Sequence, residues 1–374
     1  MTYSHALRYL TTPDKEEQSH ASLGAPLLPI KAPHAPLLLC FTHNKLGSAA
    51  ASLVASVLQQ AGIPYLHWID DDTWEPKRRF LIDGRPISPP ILSRHAADWQ
   101  AAARADGRRD WRAERCAGVL SLCAAETDCR VVLLESPLSV CHVGYFHALN
   151  KKIRAISVLS DSSEIARTAQ NPATVEIITP AFGREMHSRI TNICAGNDCK
   201  MVTIPASAIK RESLTLGGQT VTYTAKMGKI QYRLPSASRV AADAAALTLY
   251  ALRSLSEGGL AVSEEAISKG LFGATLSHCG TVYSVEPLIL THTAGDAQEL
   301  ALALSDLETM SACAHAPLTV WPEPNLTPLV DMPSPYREAM WPQKKDVALL
   351  LVGSLAWIEE TLALRTRKKS KNSD

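Results

Sequence analysis

The sequence lacks long apolar runs, so a membrane-spanning helix is not expected. Its longest apolar runs, such as Val347–Val352, fall far short of the roughly 18 residues that cross a bilayer. The amino terminus reads as a short amphipathic helix followed by charge, without the basic start, apolar centre and cleavage site of a secretory signal. We therefore expect a protein of the cytoplasm that has no membrane anchor.

Recognised metal and disulfide patterns are also missing. The nine cysteines include no CxxC pair, and the twelve histidines include no HExxH arrangement. Cys194 and Cys199 flank a turn, so they either approach each other or are ordinary small residues near a helix end. The cysteines are scattered along the chain and odd in number, which indicates reduced thiols.

A strong charge of one sign is absent as well. The chain has 38 Lys and Arg against 37 Asp and Glu, a formal net charge of +1, with 46% hydrophobic and 20% charged residues. This composition is typical of a globular protein and favours neither nucleic acid nor a membrane surface as partner. The basic tail over residues 365–374 is interpreted as a solvated end.

What is present is an α/β rhythm that is long enough for two domains. At 374 residues the chain exceeds the size of one hydrophobic core. Apolar runs alternate with helical stretches from Pro36 to about Pro205, which predicts a parallel sheet covered by helices. We expect one domain over residues 1–286 and a second over residues 287–374. The strands predicted in the first domain are Leu37–Phe41, Ile63–Trp68, Arg130–Glu135, Ile153–Leu159, Thr174–Ile178 and Met201–Ile204.

Turn and breaker residues indicate the smaller features. An Asp-Gly pair predicts a hairpin over Arg78–Ser88, and seven prolines between Ala316 and Pro342 predict an irregular connector. The other predicted elements are an antiparallel unit over Leu214–Leu234, helices over Val240–Leu255, Ser263–Leu271 and Asp296–Leu307, strands over Thr281–Leu290, Leu318–Trp321 and Val347–Val352, and a final helix to about Leu364.

The turn between the first strand and its helix is the most informative segment for chemistry. It reads Phe41 to Ser48 as FTHNKLGS. Such a turn points backbone N–H groups and the positive helix end at an anion, while Lys45 adds charge and Ser48 can bind magnesium. Because it departs from the Walker pattern, two readings stay open: a phosphate-binding loop, or an ordinary strand-to-helix turn capped by Ser48.

An ordered series of segments resembles the folylpolyglutamate and dihydrofolate synthases of the Mur ligase superfamily over nearly the whole chain. The turn is similar to their HVAGTNGKGST segment, VVLLESPL at 131–138 to "V-x-x-L-E-V-G-L-G-G", and SEEAISKGL to "S-E-E-A-I-x-x-G-L". The resemblance implies a P-loop-like Mur ligase central domain with a parallel sheet, followed by a smaller Rossmann-like α/β domain. It also implies an ATP-dependent ligase that adds glutamate to a folate or pteroate through an acyl phosphate.

The resemblance assigns roles to particular residues. ATP would contact Thr42, Asn44, Lys45, Gly47 and Ser48, and magnesium would be held by Ser48 and Glu135. Without the resemblance, the sequence favours Glu135 as an acid that simply faces solvent after a strand. In the loop IDDDTWEPKRRF, Asp70–Asp72, with Asp71 at the centre, would meet a cation or the pterin nitrogens and Trp74 would stack on the pterin, unless this is a plain polar surface loop.

Several residues of the family pattern are missing. The segment that carries a metal-binding histidine and a modifiable lysine appears here as DSSEIARTAQNP, with Ala169 at the lysine position. Too few ligands then remain for a second metal. An alternative hypothesis is therefore an inactive paralogue that serves as a binding or regulatory module, with a partner surface in the connector at Trp321, Tyr336 and Trp341.

Overall fold

An eight-stranded sheet and a four-stranded sheet form the centres of two units. Contacts assign Met1–Ala206 and Leu247–Gly270 to the first unit, and Ser207–Ala246 and Leu271–Asp374 to the second. The computed structural model describes residues 1–13, 35–70, 75–106, 111–136, 139–159, 162–225, 228–276, 279–285, 288–294, 297–305, 311–312, 318–326, 348–354 and 356–363.

The eight-stranded sheet is parallel except at one edge. Its order is β4-β3-β2-β5-β1-β6-β7-β8, and only β3 and β4 run antiparallel to their neighbours. Asp83 and Gly84, which both have a positive φ, form the turn of the predicted hairpin at this edge. The strands are β1 Leu37–Phe41, β2 Tyr65–Ile69, β3 Phe80–Ile82, β4 Arg85–Pro86, β5 Val131–Glu135, β6 Arg154–Val158, β7 Thr174–Pro180 and β8 Lys200–Ile204. The predicted α/β class with a parallel sheet is thus confirmed.

Helices accompany this sheet along the chain. They are α1 Tyr3–Thr11, α2 Lys45–Gln60, α3 Pro89–Asp106, α4 Arg112–Glu126, α5 Ser139–Leu149, α6 Ser162–Ala169, α7 Arg184–Gly196, α8 Arg239–Glu257 and α9 Glu264–Gly273, with a 3₁₀ turn at Pro76–Arg78. None of the described helices is long and apolar enough to span a bilayer.

Strand alternation gives the sheet two different faces. Leu66, Trp68, Val132 and Leu134 point to one core, where they pack with apolar residues of α1, α3, α4 and α5. Residues one position away in β2 and β5 point to the opposite face, because successive side chains of a strand alternate. The helix that packs on β1, β2 and β5 next to that opposite face is α2.

The order of the strands reverses at the central strand β1, which is where a sheet of this topology can bind a ligand. It lies between β5 and β6, and both pair with it in parallel. The chain passes from β1 to β2 on one side and later from β5 across β1 to β6 on the other. Open α/β sheets bind ligands beyond the carboxyl ends of the strands at such a reversal.

The second unit contains two smaller sheets. A three-stranded antiparallel sheet comprises β9 Ile209–Thr215, β10 Gly218–Ala225 and β11 Gly228–Leu234. The four-stranded sheet has the order β12-β13-β15-β14, with β12 antiparallel and the others parallel. Its elements are β12 Cys279–Val285, β13 Leu288–Thr293, α10 Ala297–Ser305, β14 Leu318–Pro322 and β15 Ala348–Gly353, followed by a helix over residues 356–363.

Two sequence expectations for this unit need correction. The single strand predicted over Thr281–Leu290 is two antiparallel strands, β12 and β13, consistent with Pro287, whose missing N–H disfavours a continuous central strand. Trp321 is buried in β14, with its ring 6.4 Å from that of Trp357, so it belongs to a core and not to an exposed partner surface. Tyr336 and Trp341 lie outside the described residues.

The division by contacts differs in outline from the predicted domains. Residues 207–246 join the second unit, and Leu216, in the turn between β9 and β10, packs against the core of the four-stranded sheet. The predicted cut falls at Glu286–Pro287, which the structure does not describe. A domain boundary at that point remains a prediction.

Candidate functional site

The turn after β1 brings the predicted nucleotide-binding residues together. The N–H of Thr42 donates to the carbonyl of Val158 on β6 at 3.2 Å. Asn44 is the N-cap of α2, and its Oδ1 accepts from the N–H of Gly47 at 2.9 Å. The N–H of Ser48 donates to the carbonyl of Asn44 at 2.8 Å. One strand–turn–helix element therefore holds all five residues, namely Thr42, Asn44, Lys45, Gly47 and Ser48.

The helix cap is Asn44, and the expectation of a cap at Ser48 is wrong. The helix begins at Lys45, so Ser48 lies within its first turn. Asparagine is a favoured N-cap because its side-chain oxygen reaches the N–H two or three residues ahead. An anion at this helix end would compete with Asn44 Oδ1 for the Gly47 N–H.

Replacing the cap gives a first prediction. Asn44→Ala removes the acceptor of the Gly47 N–H, and we expect the free energy of unfolding to fall by about 1 kcal/mol. Urea denaturation of wild type and variant measures this difference. Asn44→Ser, which keeps a capping oxygen, is the matched control and should stay close to wild type; an equal loss in both variants would contradict the capping role.

Gly47 lets α2 begin close beneath the end of β1. A Cβ at this position would lie 2.0 Å from the carbonyl oxygen of Thr42, far inside van der Waals contact. Gly47 itself is buried, whereas Lys45 and Ser48 are half-buried. The glycine is therefore required for the packing of the turn, whether or not a ligand binds there.

Glu135 lies at the carboxyl end of β5, next to the turn. It is in register with Phe41, the last residue of β1, and its side chain is 5% exposed. His67 of β2 is buried too, and its Nε2 lies 2.5 Å from Glu135 Oε1. The reading of Glu135 as an acid that faces solvent is therefore wrong, because the sheet edge buries it against an imidazole.

A second buried carboxylate, Asp70, follows β2 at the same edge. Its Oδ1 lies 3.0 Å from Arg79 Nη2 and 3.2 Å from Arg112 Nη1. Its Oδ2 accepts from Ser136 Oγ at 3.1 Å and from Arg112 Nη2 at 3.3 Å. Asp70 and Arg79 are almost fully buried and Arg112 is 12% exposed. We call Asp70, Arg79, Arg112 and Ser136 the Asp70 cluster.

The resemblance implies a magnesium ion, and these hydrogen bonds determine which oxygen atoms at this edge of the sheet remain available as its ligands. Both oxygens of Asp70 are used, and Glu135 Oε1 is bonded to His67. No group of three or more His, Cys, Asp or Glu side chains could hold a metal in the part of the chain that is described. Glu135 Oε2 and the Ser48 hydroxyl remain, which fits one magnesium ion completed by phosphate oxygens and water.

The loop after β2 is only partly described. Asp71 and Trp74, the predicted substrate-binding residues, lie outside the described residues. The structure places Asp70 directly before them, with its N–H donating to the carbonyl of Glu135 at 2.8 Å. Their predicted contacts with an acceptor remain predictions.

The cysteines whose side chains the structure describes are buried thiols. Six are free and buried, namely Cys40, Cys116, Cys123, Cys129, Cys194 and Cys199. Burial raises the pKa of the Cys40 and Cys116 thiols to about 12, so they are protonated and weakly nucleophilic at neutral pH. Cys194 and Cys199 belong to one apolar cluster, where the N–H of Cys199 donates to the carbonyl of Cys194 at 3.0 Å. Burial raises the pKa of the Cys199 thiol to about 12.

Together these features define an α/β protein with a P-loop-like turn on its central strand and a second α/β unit. Solved structures that share this fold are folylpolyglutamate synthetases. The Lactobacillus casei protein is 16% identical with a TM-score of 0.74, over 97% of this chain and 100% of that one. Escherichia coli FolC, solved with DHPP and ADP, is 15% identical with a TM-score of 0.68, over 98% and 99%.

Other structures agree with this result. An FPGS complex with AMPPCP and folate gives 14% identity and a TM-score of 0.74, over 97% of this chain and 100% of that one. The Thermotoga maritima synthase gives 15% and 0.67, over 94% of each chain. No family model and no curated protein sequence matches this chain. At these identities the likeness establishes the fold, which confirms the structural part of the resemblance.

Proposed function

We propose that this chain is an ATP-dependent amide ligase of the folylpolyglutamate synthase type, which adds glutamate to a folate or pteroate. The observation that supports it is the turn from Thr42 to Ser48 at the end of the central strand, beside Glu135. The chain shares its fold, over 97% of its length, with an FPGS solved with AMPPCP and folate.

In this proposal the turn binds the phosphates of ATP. The N-terminus of α2 carries a partial positive charge, and Lys45 at its first position adds a full one. Ser48 and Glu135 would hold magnesium, which offsets phosphate charge during phosphoryl transfer. Asp71 and Trp74 would contact the acid substrate.

The reaction has two steps. The terminal carboxylate of the folate or pteroate attacks the γ-phosphorus of ATP, which gives an acyl phosphate and ADP. The amine of glutamate then attacks the acyl carbon, loses a proton and expels inorganic phosphate, which leaves an amide. Because the protein supplies positioning and charge stabilisation, Lys45 and the α2 terminus do their work in the first step.

Nucleotide binding is the direct test. Mg·ATP should raise the melting temperature of the wild type, and Lys45→Ala should weaken ATP binding at least ~10-fold, because it removes a charge at the phosphates. Calorimetric titration and thermal shift measure both. Lys269→Ala removes an exposed lysine of α9 as the matched control and should bind ATP like wild type.

The reaction itself distinguishes the ligase from the alternative. A ligase converts ATP to ADP over many turnovers only when both a pteroate-type acid and glutamate are present, because without glutamate the reaction stops at the acyl phosphate. No ATP binding by the wild type would overturn the ligase proposal and favour a binding or regulatory module. ATP binding without coupled ADP formation would retain the nucleotide site and reject the proposed substrates.

A further inference from the structure

We propose that His67 is a positioning residue, which holds Glu135 so that one carboxylate oxygen is directed to a nucleotide-bound cation. This inference rests on the proposed nucleotide site. His67 and Glu135 come from adjacent strands, β2 and β5, and both are about 95% buried. The contact of 2.5 Å joins His67 Nε2 to Glu135 Oε1.

The register of the strands places His67 and Glu135 on the face of the sheet that α2 covers. His67 is in register with Leu133, and Glu135 with Ile69, so all four point to one face. It is the face opposite the core that Trp68 and Leu134 enter. Since α2 packs on β1, β2 and β5, the pair lies on the side of the sheet that α2 covers, at the edge where α2 begins.

The proposal assigns a direction to this contact. With Glu135 ionised, as cation binding requires, its carboxylate only accepts, so Nε2 of His67 carries the proton and donates to Oε1. The bond leaves Oε2 of Glu135 without a hydrogen-bond partner among the described residues. It also restricts the rotation of the carboxylate, as a hydrogen bond to the outer side of a metal ligand does in known metal sites.

The contrast with Asp70 shows why Glu135 is the cation-facing carboxylate of this edge. Two guanidinium groups neutralise Asp70 and, together with Ser136, use both of its oxygens. Glu135 has one donor on one oxygen. Of these two buried acids, only Glu135 keeps an oxygen available for a cation.

The test compares variants that differ in the donor at residue 67. His67→Leu removes the donor, and His67→Gln keeps an N–H near the position of Nε2. Calorimetric titrations with ATP, each run with excess Mg²⁺ and with EDTA, give the factor by which the metal strengthens binding. We expect His67→Leu to lower that factor ~10-fold, the usual scale for a lost outer contact of a metal ligand, while its affinity for metal-free ATP changes little. In His67→Gln both the factor and the affinity for metal-free ATP should stay close to those of the wild type.

A merely structural role for His67 makes a different prediction. If the role is only structural, replacing His67 weakens ATP binding equally with and without Mg²⁺. That result overturns the inference and leaves the proposed nucleotide site in place. In a Glu135→Gln background His67→Leu should have no further effect on the metal factor; an undiminished effect there also overturns it. If His67→Leu does not fold, His67→Asn replaces it, because its shorter amide falls short of Oε1. Failure of the wild type to bind ATP overturns the inference together with the proposed function.

Discussion

Asp70→Asn lowers the free energy of unfolding of the first unit by about 3–5 kcal/mol, the usual cost of removing one partner from a buried ion pair. The substitution keeps the shape of the side chain and removes its charge. Arg79 and Arg112 would then stay buried without the carboxylate that both contact, and the new amide N–H₂ would face a donor. Urea denaturation measures the loss, and hydrogen exchange of peptides from β2 and β5 assigns it to the first unit.

Two comparisons show whether charge is the cause. Glu265→Gln breaks an exposed ion pair with Lys269 on α9 and should alter stability far less, because solvent screens such pairs. A triple variant with Asp70→Leu, Arg79→Met and Arg112→Met removes every charge of the cluster and should recover most of the lost stability. If Asp70→Asn costs less than about 1 kcal/mol, the cluster is solvated and its energetic role is refuted.

The sequence predicts the elements whose hydrophobic pattern is local and unbroken. The bounds of β1, Leu37–Phe41, are those predicted, because every residue of that run is apolar and four of the five are buried in a parallel sheet. The helix α3 has no such signal, since it begins at Pro89–Pro90, a pair that usually indicates a turn. Proline is nevertheless suited to the first turn of a helix, where its missing N–H has no partner to lose.

The same distinction applies to the candidate site: contacts between neighbours in the sequence are predictable, and contacts between distant residues are not. The residues from Thr42 to Ser48 are contiguous, so their shared turn can be predicted from sequence. His67 and Glu135 are 68 residues apart, and Arg112 is 42 residues from Asp70. Those contacts depend on the register of β2 against β5 and on the start of α4. A single sequence carries no signal for that register, so His67 and the Asp70 cluster were not predicted as partners.

Gly47→Ala should destabilise the first unit by about 3 kcal/mol and abolish ATP binding. The added Cβ would lie 2.0 Å from the carbonyl oxygen of Thr42, and a backbone atom cannot rotate away as a side chain does. Either the turn or the start of α2 must shift, and overpacking of this kind costs roughly 1–3 kcal/mol or more. Urea denaturation gives the stability, and calorimetric titration with Mg·ATP reports whether the turn keeps its geometry.

Gly196→Ala is the matched control, because it also adds a methyl group to a glycine within a helix. Nothing lies within 4 Å of a Cβ at residue 196, and alanine is the better helix former. We expect its stability to equal or slightly exceed that of wild type, with ATP binding unchanged. A Gly47→Ala protein as stable as Gly196→Ala would show that α2 can move away from β1. Full ATP affinity in that protein would further show that the proposed phosphate site does not depend on the close approach of α2 to Thr42.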